Sequence, residues 1–159
     1  MIAGCDYNTK VAWLAWVDEG EKLLYLAPEP ISKDTAATFN RLLQHFTFMR
    51  SIHEVGIING LYLERPWGRN NIATTLALGR VAVIVETAAS FLDIPVHYIQ
   101  PSTWRKGVFG KGPKQTRQQF KAKALEFAAQ LWPERAFETD NEAEAALIAL
   151  YGSRQNEVV

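Results

Sequence analysis

Three β-forming runs crowd into the first 27 residues, and that crowding leaves the chain few ways to fold. Residues 2–6 are apolar, residues 11–17 (VAWLAWV) are rich in branched and aromatic side chains, and residues 23–27 follow a polar DEGEK turn. Links this short suit antiparallel neighbours, so the chain is expected to open as a three-stranded antiparallel sheet. Pro28 and Pro30 are expected to end that segment, since a proline cannot donate to a sheet ladder.

The remainder alternates. Ser32 or Asp34 can cap a helix over residues 35–50, whose apolar stripe includes Phe39, Leu42, Leu43, Phe46 and Met49. A strand over residues 55–63 carries Glu64 at its end. Asn70 or Asn71 caps the next helix, which runs to about Leu92, and residues 95–99 form a strand. Residues 101–104 read as a turn, and residues 106–113 (KGVFGKGP) as a mobile glycine-rich loop that enters a helix over residues 114–131. Trp132-Pro133 breaks that helix. A last helix spans residues 141–151, with Gly152 as its stop and residues 153–159 as a short flexible tail. The order β-β-β-α-β-α-β-α-α predicts an α/β fold: one mixed five-stranded sheet flanked by helices, in a single domain over residues 1–152.

The helix after Asn71 is unusual. From residue 76 to 85 (LALGRVAVIV) only Arg80 is charged, so apolar side chains surround the axis. Such a helix is buried on more than one side, either beneath the other helices or against a second subunit, where Gly79 would permit close approach. No apolar run reaches about 18 residues without a charged or polar break, so no membrane span is expected. The opening MIAGCDYNTK lacks the basic and apolar regions of a secretory signal. The lone Cys5 excludes an internal disulfide and fits a reducing compartment such as the cytoplasm; a small buried strand residue is its simplest role.

Lysine plus arginine equal aspartate plus glutamate at 17 each, but the charges are segregated. Between Asp93 and Glu126 there is no acid, whereas Arg105, Lys106, Lys111, Lys114, Arg117, Lys121 and Lys123 are all basic. From Glu126 onward acids dominate. A basic belt beside an acidic cluster suits a polyanion held near metal-binding carboxylates; a solvated helix face is the plainer reading of the same charges.

The acids themselves are placed to converge. Asp6 ends the first strand and Glu64 ends the fourth, the latter within residues 60–79 (GLYLERPWGRNNIATTLALG). On the final helix Asp140 and Glu144 are four apart and Asn141 and Glu144 three apart, so either pair shares a face, whereas Glu142 and Glu144 diverge by about 200°. Carboxylates gathered without compensation repel one another, so a cluster implies a cation or raised pKa values. Oxygen ligands with no histidine or cysteine among them favour magnesium or manganese over zinc. His45, His53 and His97 are scattered, and no histidine-based triad is indicated.

These features resemble the RuvC family of Holliday-junction resolvases, within the RNase H-like superfamily, over nearly the whole chain. The likeness rests on Asp6 at the end of an apolar strand and on Glu64 followed by Trp67, Asn71 and the LALG segment. The loop–helix junction GKGPKQ and the acidic final helix EAEAALIA complete it. The resemblance implies a homodimeric, structure-selective endonuclease with two Mg2+ ions per site, Mn2+ substituting. Asp6, Glu64 and Glu144 would be ligands, and Lys114 would meet the scissile phosphate. Trp67 falls at an aromatic position that contacts bases near the junction centre, with Arg65 and Arg69 suited to the flanking phosphates. Trp104, Arg105, Lys106 and the loop to Pro113, Lys111 included, would form a second DNA-contact segment, with Arg117 a further contact.

Two positions depart from the family pattern. Glu144 stands where aspartate is typical, and Asn141 stands where an aspartate or histidine is usual. Asp140, on the Glu144 face, is the candidate replacement ligand. Asn141 also leaves open a non-catalytic RNase H-like binding module, and the fold admits a nuclease for other substrates such as RNA–DNA hybrids. The small size would suit a phage-encoded enzyme that debranches DNA. Trp13, Trp16 and Trp132 are expected in the core.

Overall fold

In a computed structural model, residues 1–52, 57–66, 71–113 and 115–156 are described. Trp67, Arg69 and Lys114 therefore lie outside the described residues.

Five strands form one sheet in the order β3-β2-β1-β4-β5. β1 (Ile2–Tyr7), β2 (Val11–Val17) and β3 (Leu23–Pro30) are antiparallel neighbours, as the short links require. β4 (Gly60–Glu64) and β5 (Val96–Ile99) join on the other side of β1, both parallel. Each parallel step needs a crossover helix, supplied by α1 (Thr35–Ile52) and α2 (Ile72–Ser90). The prolines do not end β3, because β3 is the outer strand and its free edge needs no donors. The fourth strand is shorter than expected and starts at Gly60.

The two faces of the sheet build two cores. Ala3, Cys5, Leu14, Trp16, Leu61 and Leu63 point one way and pack under α1 and α2. Asp34 caps α1 by accepting from the backbone N–H groups of Ala36 and Ala37. Asn71 caps α2 by accepting from that of Thr74. Among the described residues α2 is the one helix long and apolar enough to cross a membrane by length and composition, yet Val81, Ile84, Val85 and Ala88 on it are buried against this core.

Ile2, Trp13, Ala15, Val17 and Tyr62 point the other way, beneath α3 (Pro101–Phe109), α4 (Arg117–Leu131) and α5 (Asp140–Asn156). α5 lies flat on the centre of the sheet, with every residue from Ala145 to Leu150 fully buried. Glycine permits that closeness. A Cβ on Gly4 would stand 2.2 Å from the Ala149 nitrogen and 2.4 Å from the Ala145 carbonyl oxygen. A Cβ on Gly152 would stand 2.4 Å from the Tyr62 ring. Gly152 is thus a packing residue and not a stop; α5 continues through Ser153, which is buried, to Asn156.

The segment expected as a turn and a glycine-rich loop forms α3 instead. Pro101 occupies its first turn, where a missing N–H costs nothing, and Trp104 and Val108, four apart, bury one face. Gly107 serves contact: its Cβ would stand 2.6 Å from the Tyr151 ring. The helix stops at Gly110, whose φ of 74° suits glycine. α4 then begins at a reciprocal cap between Thr116 and Gln119, three residues later than expected.

Candidate active site

The sheet brings the first two carboxylates together. In the parallel pair of β1 and β4, Cys5 stands opposite Leu63, so Asp6 and Glu64 follow side by side, on strands about 5 Å apart. Side chains alternate along a strand, so Asp6 shares a face with Ile2 and Gly4, and Glu64 with Tyr62. That is the face covered by α5. Tyr7 fastens the two strand ends, its hydroxyl donating to the Glu64 carbonyl oxygen at 2.8 Å.

α5 brings the third carboxylate. Glu144 directly precedes Ala145, whose carbonyl abuts Gly4, so the closest helix–sheet approach lies beside the acid. Asp6 and Glu144 are buried, and together with Glu64 they line one open cleft. Asn141 lines it too, one turn before Glu144.

The electrostatics record this convergence. Burial, then the charges of Glu144 and Glu64, hold Asp6 well above the ordinary carboxylate range. Burial raises Glu64, against a hydrogen bond from Trp104 and the charge of Arg105. Glu144 is pushed up to about 7 by burial foremost, with Glu64 and Asp140 adding to the rise and Arg105 and Lys121 opposing it.

Glu64, Glu144 and Asp140 each meet a side chain from α3 or α4. The Trp104 indole N–H donates to Glu64 Oε1 at 2.5 Å. Arg105, the next residue, approaches Glu144 Oε2 at 3.6 Å, with its guanidinium 3.8 Å above the Phe120 ring centre. Lys121 of α4 pairs with Asp140. Asp140 is therefore engaged behind the cleft, whereas Asn141 faces it. Glu142 is taken up as a cap: its Oε2 accepts from the backbone N–H groups of Glu138 and Thr139, while its own N–H donates to Thr139 Oγ1. A threonine three residues before a glutamate is the sequence signature of such a cap, and it marks the helix start at Asp140.

Among the described residues, no three acids, histidines or cysteines stand close enough to hold an ion as they are. The donor set nevertheless suits a hard divalent cation. Three carboxylates face one cleft, and the repulsion and desolvation that raise their pKa values are costs a cation would remove.

The rim is basic. Arg65, Arg105, Lys106, Lys111, Arg117, Lys121 and Lys123 all line the cleft, so the acid-free stretch of the sequence wraps the acids in space. Trp104, expected to contact DNA, is fully buried and meets Glu64 instead. Trp13, Trp16 and Trp132 are buried, as expected. Sequence reasoning missed the donor roles of Trp104, Arg105 and Lys121, because each acts across elements distant in the chain.

A five-stranded mixed sheet in this strand order, flanked by helices, has the RNase H-like fold. The chain superposes on the Thermus thermophilus RuvC structure in complex with Holliday junction substrate with a TM-score of 0.76, at 14% identity, over 99% of this chain and 94% of that one. Another Thermus thermophilus RuvC structure gives a TM-score of 0.70 at 17% identity, covering 99% and 95%. In sequence, the chain is 28% identical over 122 residues to the crossover junction endodeoxyribonuclease RuvC of Chlamydia trachomatis serovar L2, covering 74% of this chain and 71% of the relative. The serovar A protein gives the same values. No family model matches. In sequence and in fold, the chain is thus similar to RuvC proteins.

Proposed function

We propose that this protein is a Holliday-junction-resolving endodeoxyribonuclease that works as a homodimer with Mg2+, two ions per site, Mn2+ substituting. The observation that carries this reading is the cleft itself: three converging carboxylates on its floor under a basic rim. The curated relatives named crossover junction endodeoxyribonuclease support the substrate.

Asp6, Glu64 and Glu144 are the proposed ion ligands. Asp140, ion-paired with Lys121, is placed to tune Glu144 from behind; Asn141 faces the cleft and offers an amide oxygen. Bound ions would supply an activated water and charge stabilisation for phosphodiester hydrolysis. The chain's own residues do the rest. Asp6, on the rigid centre of the sheet, fixes the place where the scissile phosphate must come. Arg65, Arg105, Lys106, Lys111 and Arg117 hold flanking phosphates, and Lys114, Trp67 and Arg69 remain proposed DNA contacts.

The proposed dimer uses α2. Ile72, Leu76 and Val83 are 81%, 69% and 57% exposed. Their spacing of four and seven sets them on one helix face, opposite the face that covers the sheet. A large apolar stripe left open on a small domain suits a second copy. Work on DNA branches also suits the cytoplasm of a bacterium or of a phage-infected host cell, and the single nuclease domain is proposed to run past residue 152 to the end of α5.

The test is cleavage of a synthetic four-way junction by purified protein with magnesium or manganese, beside linear duplex and RNA–DNA hybrid. Asp6→Asn is expected to stop cleavage and spare binding. Wild type that binds the junction and never cuts it with either metal would sink the enzyme reading; preference for the hybrid would overturn the substrate.

A further inference from the structure

Trp104 sits where a DNA-contacting tryptophan would be useless: it is wholly buried, and its one polar atom is spent inside the protein. Its indole N–H reaches Glu64 Oε1 at 2.5 Å. The ring cannot swing away, since it packs edge-on against Phe120 at 5.7 Å and at a tilt against Phe109 at 6.2 Å. Three residues further, Gly107 seats α3 against Tyr151, which fixes the helix that carries the indole. Glu64 thus has one oxygen bound in a set direction, and among the described residues no protein donor reaches its Oε2.

The type of donor matters. Asp140 is held by a lysine, which cancels its charge. An indole N–H is neutral, so it orients a carboxylate and leaves the full negative charge for a cation. We propose that Trp104 is a positioning residue for Glu64, holding that carboxylate in the orientation that offers Oε2 to the ion in the cleft. This rests on the reading of Glu64 as an ion ligand. Partners behind a ligand commonly alter metal affinity by 10–100-fold when removed.

The experiment measures Mn2+ binding directly, by the electron paramagnetic resonance of free Mn2+, on the whole protein without DNA. Trp104→Phe keeps the aromatic packing and removes the N–H. It is expected to bind Mn2+ at least about 10-fold more weakly, while binding a four-way junction in EDTA as wild type does. Phe109→Leu disturbs the same packing and keeps the N–H, and is expected to bind Mn2+ as wild type does. Trp104→Phe that binds Mn2+ like wild type, or Phe109→Leu that loses as much affinity as Trp104→Phe, overturns the proposal. Should Trp104→Phe fail to fold, magnesium titration of the 15N-labelled wild type decides: the Trp104 indole resonance is expected to move more than that of buried Trp16, and an unmoved Trp104 signal overturns the role. Wild type that binds Mn2+ but cuts no junction refutes the substrate reading alone. Junction cleavage together with an unchanged Mn2+ affinity in Trp104→Phe refutes the positioning role alone.

Discussion

Gly4→Ala tests whether the closeness of α5 to β1 is what assembles the carboxylates. The new methyl would meet the Ala149 nitrogen at 2.2 Å, the Ala145 carbonyl oxygen at 2.4 Å and the Ala149 Cα at 2.8 Å. All three are backbone atoms of a helix buried along its length, so no flexible side chain can turn aside. Overpacking a core costs about 1–3 kcal/mol, occasionally more, and this site should fall at the upper end, near 3 kcal/mol. In a domain of this size that lowers the melting temperature by about 6–12 °C. The only relief is for α5 to lift from the sheet, which draws Glu144 away from Asp6. The variant should therefore lose much of the stabilisation that Mn2+ gives wild type. Gly152→Ala separates the two effects, because its methyl would strike the Tyr62 ring at 2.4 Å, two turns beyond Glu144. It should cost stability and keep the response to Mn2+. Urea unfolding followed by tryptophan fluorescence, with EDTA or with Mn2+, reads both. Gly4→Ala unfolding at the wild-type urea concentration would refute the reasoning, as would an equal loss of Mn2+ response in both variants.

The cleft acids also set a pH dependence. Glu144 titrates from 4.5 unfolded to about 7 folded, so between those values the native state binds more protons and stability falls as pH rises. The penalty is absent below about pH 4.5 and complete above about pH 7, amounting to about 3 kcal/mol for this group, with Asp6 and Glu64 acting in the same direction. Thermal melts in EDTA should show the decline and excess Mn2+ should flatten it; a melting temperature that climbs from pH 5 to 7 in EDTA contradicts the account. At the proposed dimer face, Leu76→Glu places a charge on an exposed apolar stripe without touching the core. Sedimentation should show a dimer for wild type and a monomer for the variant, at unchanged melting temperature extrapolated to low concentration; a monomeric wild type removes the face from consideration.

The frame of this fold was legible because it depends on local pattern. Three strands on short links had to pair as a meander, and capping residues at Asp34 and Asn71 marked where helices begin. Asp6 and Glu64 could be paired before any coordinates, since acids at the ends of apolar strands converge whenever those strands are neighbours. The errors share one cause. Pro28, Gly107 and Gly152 each have a local tendency to break structure, and in each case position in space overrides it: an outer strand edge, an aromatic ring against a helix, and a helix pressed on a sheet. Such overrides are invisible in a short window of sequence.

The same reasoning explains why the donors around the acids escaped notice. A tryptophan among lysines and arginines has the composition of a nucleic-acid contact, and only the four-residue spacing of Trp104 and Val108 hints that it faces inward. The basic belt is in fact split by depth. Lys106, Lys111 and Arg117 are exposed on the cleft, whereas Arg105 and Lys121 turn partly inward and hold Glu144 and Asp140. Counter-charge for the acids and attraction for a polyanion therefore come from one stretch of chain. Charge alone could not divide those roles, because the division depends on which face of α3 and α4 meets α5.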